Sequence, residues 1–198
     1  MNESLPQERV LVAMKVRGPA EDDSQAAPLA GSFDELFQAH WGRIYRLLVR
    51  LVGDPAEAED LALETFYRLY QKRPADGEGS NLGGWLHRVA TNLGLHSIRS
   101  FQRRQLYELQ AGKGFLEELQ RDHPAEIQAA DEDRRLARLA LARMSQKQAE
   151  LLILRYSGLA YKEIAAVLRL SPSSIGPLLV RAEREFEKQY RAVDQEDV

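Results

Sequence analysis

The sequence predicts an all-α fold: two small helical domains joined by a flexible linker, the C-terminal one a four-helix unit with a helix-turn-helix. Three observations predict it. Apolar residues recur at the i, i+3, i+4 spacing of helices across 33–107 and again from 136 onward. Ser32 with Glu35, and Ser145 with Gln148, have the spacing of capping boxes. Between these two regions, residues 108–133 lose the period, Gly112 and Gly114 interrupt it, and acids outnumber bases, as in a tether. The chain then divides into a disordered leader (1–31), a helical domain (32–107), the linker (108–133), a helix-turn-helix domain (134–192) and an acidic tail (193–198).

The leader mixes Pro, Gly, Ala, Asp and Ser without a lasting period. The first helix opens at Ser32, carries Phe33, Leu36, Phe37, Ile44, Tyr45, Leu48 and Leu51 on one stripe, and stops near Gly53. Asp54-Pro55-Ala56-Glu57 starts a second helix, with an acid at the cap and proline at the first helical position. Its stripe of Ala58, Leu61, Ala62, Thr65, Phe66 and Leu69 faces the first helix and leaves Glu59, Asp60 and Glu64 outward. Pro74, Gly77, Gly79, Gly83 and Gly84 mark 73–84 as a loop. A third helix follows over 85–104. Trp85, Leu86, Val89, Ala90, Leu93 and Ile98 line its buried side, while Arg88, Asn92, His96, Arg99 and Arg103 step along another.

Charge distribution says more than the formal net charge of −3. Residues 79–107 hold four arginines and no acid, which suits phosphate; residues 51–67 hold Asp54, Glu57, Glu59, Asp60 and Glu64 and no base, which suits a basic protein surface. The absence of cysteine excludes disulfides and thiol chemistry, and His40, His87, His96 and His123 are too dispersed to form a local metal motif. No cofactor is expected. Apolar runs fall far short of the roughly 20 residues a bilayer needs, so no membrane insertion is expected and a cytoplasmic location is the default.

In the C-terminal domain, Leu136, Leu139, Ala140, Ala142 and Met144 finish one helix. Leu151, Leu152, Leu154 and Tyr156 line the next, up to Gly158. Ile164, Ala165 and Leu168 belong to a short helix over 161–168, and Arg169-Leu170-Ser171 turns the chain into a last one with Ile175, Leu178, Leu179, Ala182 and Phe186. Two helices joined by a three- or four-residue turn, with a small alanine where they meet, have helix-turn-helix spacing. Ser173, Ser174, Arg181, Arg184 and Lys188 point outward from the last helix and suit phosphate or guanine edges.

Two blocks of this chain resemble one family, the bacterial sigma-70 initiation factors of the small extracytoplasmic-function type. GDPAEAEDLALETF, with Ala58, Glu59, Asp60, Leu61, Glu64 and Phe66 on motif positions, resembles the family's helix that grips the β′ clamp helices of RNA polymerase. WLHRVATN resembles the segment that opens and holds the −10 element, and YSGLAYKEIAAVLRLSPSSI the helix-turn-helix that reads the −35 element and leans on the β-flap. The resemblance implies a non-catalytic promoter-specificity subunit that binds core polymerase through Asp54, Glu59, Asp60 and Glu64. It implies −10 contacts from Asn81, Arg88, Asn92, His96, Arg99, Arg103 and Arg104, and −35 contacts from Ser173, Ser174, Arg181, Arg184 and Lys188. It also implies an anti-sigma factor that sequesters one or both domains.

Several residues depart from the family pattern. Leu63 replaces a usual glutamine, and His96, read as neutral and partly buried, replaces a common aspartate. Gly94 weakens its helix by about 1 kcal/mol relative to alanine, and Ala160 stands where a serine or threonine cap is expected. Pro177 inside the last helix predicts a kinked or late-starting recognition helix. The alternative reading is a helix-turn-helix regulator that binds duplex DNA without core polymerase. An enzyme is disfavoured, because Glu59 and Asp60 diverge by about 100° around a helix and no nucleophile, phosphate loop or metal cluster accompanies them.

Overall fold

A computed structural model describes residues 32–71, 81–110 and 125–196. The readings placed on the leader, on most of the 73–84 loop and on the middle of the linker lie outside the described residues. Seven helices follow in order among the described residues: α1 (Phe33–Val52), α2 (Pro55–Gln71), α3 (Leu82–Gln110), α4 (Ala125–Arg143), α5 (Gln146–Tyr156), α6 (Tyr161–Leu168) and α7 (Pro172–Glu196).

The first three helices form one layer of packing. Ser32 Oγ accepts from the Glu35 amide and Glu35 returns the bond to the Ser32 amide, so two otherwise orphaned donors open α1 satisfied. Gly53, at φ 87°, closes α1 in the left-handed region. Asp54 Oδ1 then accepts from the Glu57 amide at 2.7 Å and starts α2. Ile44, Leu47, Leu48 and Leu51 meet Ala58, Ala62, Phe66 and Leu69, and both rows meet Leu86, Ala90, Leu95 and Ile98 of α3. Each large side chain so buried is worth about 1.5–3 kcal/mol. Between α1 and α2, Phe37 stacks on Trp41 with ring centroids 4.8 Å apart, and Phe66 lies 4.8 Å from Phe37.

Helices α4 to α7 form the second unit. Leu136, Ala140 and Leu141 of α4, Leu151 to Leu154 of α5, and Ile164 and Ala165 of α6 bury against Ile175, Leu179, Ala182, Phe186 and Tyr190 of α7. The Tyr190 hydroxyl donates to Asp133 Oδ1 at 3.0 Å, which ties the middle of α4 to the last turns of α7.

Four expectations change. Residues 82–84 are helical rather than loop, because Asn81 Oδ1 accepts from the Gly84 amide at 2.8 Å and caps α3 three residues early. Residues 125–133, read as linker, belong to α4. Pro177 sits inside a continuous α7 that starts at Pro172, so the recognition helix does not start late; proline removes only the bond to the Ser173 carbonyl, near the helix start. Residues 193–196 continue α7 instead of forming a tail: Val193 is buried, and Arg143 pairs with Glu196 at 2.6 Å.

The two units do not stand apart. Helix α3 packs on α1 and α2 with one side and on α4, α5 and α6 with another, so the apolar core runs through both units. No single helix among the described residues is long and apolar enough to cross a membrane.

Candidate nucleic-acid interface

The basic residues of α3 divide into two rows with different surroundings. In the first row, Arg88 Nη1 donates to the Val167 carbonyl at the end of α6, 2.9 Å away. Arg99 reaches three acceptors of the second unit: Nε to the Ala142 carbonyl at 3.2 Å, Nη2 to the Met144 carbonyl at 3.0 Å, and Nη1 to Gln146 Oε1. Asn92 Oδ1 accepts from Gln146 Nε2 at 2.8 Å, and the same amide group donates to Glu150 Oε1 at 2.8 Å. Gln102 Nε2 donates to the Leu139 carbonyl at 3.2 Å. Arg88, Asn92, Arg99 and Gln102 lie within about 80° of one another around the helix.

The second row is open. His96, Arg103 and Arg104 are exposed, against the expectation of a partly buried His96, and line a groove of about 650 Å³ with Glu57, Ser97, Ser100 and Tyr107. His96 is exposed because it lies about 100° around α3 from the buried Leu95 and about 60° from Arg99, off the sides of the helix that pack. Glu57 is held by the Ser97 hydroxyl, and Arg103 Nη2 donates to Ser100 Oγ at 3.2 Å. Asn81 spends its side-chain oxygen on the α3 cap.

The acidic face of α2 is arranged differently from its sequence reading. Asp54 is engaged as a cap and Glu64 pairs with Arg68 at 2.8 Å, which leaves Glu59 and Asp60 exposed without such partners among the described residues. Beside them runs an apolar row that sequence reasoning missed: Leu63 is 48% exposed, Tyr67 53% and Tyr70 73%. Its signal was present in the i, i+4, i+7 spacing on the side opposite the buried stripe. Gln146 was also missed, since nothing in its local sequence marks it as a partner of residues more than forty positions away.

The helix-turn-helix has the geometry of its class. Helices α6 and α7 meet at 93° across the turn. Arg169 takes the left-handed conformation, at φ 55° and ψ 47°, and the Leu170 amide donates back to the Ala165 carbonyl at 2.8 Å. Ala160 lacks a side-chain acceptor, but Glu163 Oε2 accepts from its amide at 2.7 Å, so half the expected cap survives. Ser173 is exposed and bonds Ser171 Oγ at 2.8 Å, Ser174 is half-buried, and Arg181, Arg184 and Lys188 are exposed along α7.

A helix with four arginines and no acid from Leu82 to Tyr107 on one unit and a helix-turn-helix on the other define an all-helical protein of the nucleic-acid-binding class. Comparison with known proteins narrows this. Residues 36–105 match the Sigma-70 region 2 family and residues 134–186 match Sigma-70, region 4. The chain is 30% identical over 152 residues to the ECF RNA polymerase sigma factor SigL of Mycobacterium tuberculosis, covering 76% of this chain and 84% of that protein. It is 32% identical over 170 residues to SigE of Mycolicibacterium smegmatis, covering 84% of this chain and 63% of SigE, and its match to SigW of Bacillus subtilis spans 36% of SigW. The solved structure of CnrH in complex with the cytosolic domain of CnrY shares the fold at 16% identity, with a TM-score of 0.51 and 93% and 97% of the two chains covered. The chain belongs to the sigma-70 family, in its extracytoplasmic-function group.

Proposed function

We propose that the protein is the promoter-specificity subunit of a bacterial RNA polymerase, cytoplasmic and without catalytic activity of its own. The observation that carries this reading is the presence, in family order on one chain, of the basic α3 face and the 93° helix-turn-helix. Glu59 and Asp60, with Asp54 and Glu64 beside them, meet the β′ clamp helices, and the exposed Leu63, Tyr67 and Tyr70 supply the desolvated anchors that charge alone lacks. Asn81, Arg88, Asn92, His96, Arg99, Arg103 and Arg104 serve the −10 element. Single-stranded promoter DNA is held by phosphate contacts while a base leaves the stack, at a cost of about a few kcal/mol. Ser173, Ser174, Arg181, Arg184 and Lys188 serve the −35 element, where the second unit also leans on the β-flap. Family membership further supports an anti-sigma factor as a partner. The boundaries proposed for the two functional units are 32–107 and 134–192.

Run-off transcription with purified core polymerase on host genomic DNA tests the reading. Wild-type protein initiates at defined starts, while Glu59→Lys/Asp60→Lys keeps its helicity and loses both transcription and co-purification with core. Defined starts from the double variant, or none from wild type, overturn the assignment; duplex binding by wild type without transcripts points to the regulator reading.

A further inference from the structure

Helix α7 carries two hydrocarbon side chains on the side that its packing leaves bare. It buries Ile175, Leu179, Ala182 and Phe186. On the opposite side, at 100° per residue, Ser173, Pro177, Val180 and Arg184 fall within about 60° of one another, with Arg181 and Lys188 at the edge of that row. Val180 is 46% exposed, and Pro177 is exposed as well. The hydrocarbon is bracketed by a hydroxyl on one side and by cations on the other, unlike the contiguous apolar patch that docks a protein. A Cβ on Gly176 would have Tyr161 Cε2, at 3.9 Å, as its nearest neighbour among the described residues. Packing therefore does not demand that glycine, and its bare backbone leaves room for a ligand beside Val180.

A recognition helix touches base edges with its N-terminal residues. At 1.5 Å per residue, Pro177 and Val180 lie about 7.5 and 12 Å beyond the first residue of α7, Pro172, whereas Arg184 and Lys188 lie about 18 and 24 Å beyond it. The two cations thus stand past the inserted end, where phosphates run. Neither a proline ring nor an isopropyl group donates or accepts a hydrogen bond, so a polar base edge set against them loses its water without replacement. The thymine C5-methyl is the one hydrocarbon group that the four bases present in the major groove. Pro177 and Val180 are about 4.5 Å apart along the helix axis, close to the 3.4 Å step between bases of one strand. We propose that Pro177 and Val180 are specificity-determining residues that read the C5-methyl groups of two consecutive thymines in the −35 element, while Arg184 and Lys188 hold phosphate. The inference rests on the assignment of the helix-turn-helix to −35 DNA.

Replacing thymine by deoxyuridine removes that methyl and nothing else, which makes the test direct. Core polymerase is reconstituted with the full-length chain, and run-off yield at limiting holoenzyme is measured on one promoter whose start has been mapped. The template is synthesised with either thymine or deoxyuridine throughout its −35 region. Wild type is expected to lose about tenfold on the deoxyuridine template, from about fourfold for each methyl. Pro177→Ser/Val180→Ser is expected to use the two templates within about twofold of each other and to match wild type on the deoxyuridine template. The ratio between templates does not depend on how much of a variant is active. Equal yields from wild type overturn the proposal, as do a double variant that keeps the tenfold ratio and mapped −35 elements without consecutive thymines. A double variant far below wild type on the deoxyuridine template also overturns it, because the row then docks something other than a methyl, such as a protein. Wild type that yields no transcript from the thymine template rejects the sigma assignment itself.

Discussion

Gly94 of α3 crosses Leu51 of α1 so closely that a Cβ at position 94 would lie 2.4 Å from Leu51 Cδ2 and 3.1 Å from its Cγ. Leu51 is itself buried between helices, beside a cavity of only about 40 Å³ that it lines with Leu47 and Arg50. Propensity alone favours alanine here by about 1 kcal/mol, but overpacking a filled crossing costs about 1–3 kcal/mol. Gly94→Ala is therefore expected to destabilise the fold by about 1 kcal/mol net, seen as a lower urea midpoint at unchanged slope. A raised midpoint would show that the helices part freely at this crossing.

Two histidines make stability depend on pH near neutrality. Burial, then the neighbouring charges of His87 and Arg43, hold the His40 imidazole below its ordinary 6.5. Burial also lowers His87, and the Arg43 charge adds to this; its ring bond to the Gly83 carbonyl and the nearby Glu163 act the other way. Both rings thus bind protons more readily unfolded than folded, so their neutral forms favour the fold above pH 6.5 and stability falls as pH drops through that value toward the folded pKa. Glu132 and Glu196, held low by hydrogen bonds from Arg135 and Arg143, lose their contribution only below about 4.5, a separate window. Urea midpoints between about pH 7.5 and 5 should decline for wild type and decline less steeply in His40→Gln, where His87 alone remains. An unchanged slope in the variant would remove His40 from this account.

Pro177 offers a stabilising substitution. It is exposed, it lies in the second turn of a continuous α7, and it deprives the Ser173 carbonyl of a helical donor. Pro177→Ala is expected to raise stability by about 1–2 kcal/mol, less than the roughly 3 kcal/mol of a mid-helix proline because the break lies near the N-terminus. Thermal melting by circular dichroism measures it. A lower melting temperature would mean that proline's restraint on the unfolded chain outweighs the missing bond.

Much of the fold was legible because its signals are local. Ser32 with Glu35 forms the capping box that its spacing predicts and Asp54 caps α2 at Glu57, while Ser145 with Gln148 forms only half of its box: Ser145 Oγ accepts from the Gln148 amide, and its hydroxyl donates to Gln148 Oε1. The buried stripes of α1, α2 and α7 fall on the apolar periods. Errors arose where a distant partner decides a residue's state. Gly83 and Gly84 looked like loop residues until the Asn81 cap and the close approach of Val167 explained them. Residues 193–196 looked like a solvated tail because neither the pocket for Val193 nor the guanidinium of Arg143 is near them in sequence. Within the candidate site, the residue types on α3 were readable, while their division into a covered and an open row was not.

The sequence by itself determined the helices, the helix-turn-helix and the opposed acidic and basic faces, since periodicity, capping and charge act over a few residues. Tertiary structure alone decided that Arg88, Asn92 and Arg99 face the carbonyl ends and amide of the second unit rather than solvent. That choice depends on how two surfaces fit across 43 to 79 residues of chain, and hydrogen bonds at such separation leave no periodic trace in the residues that make them.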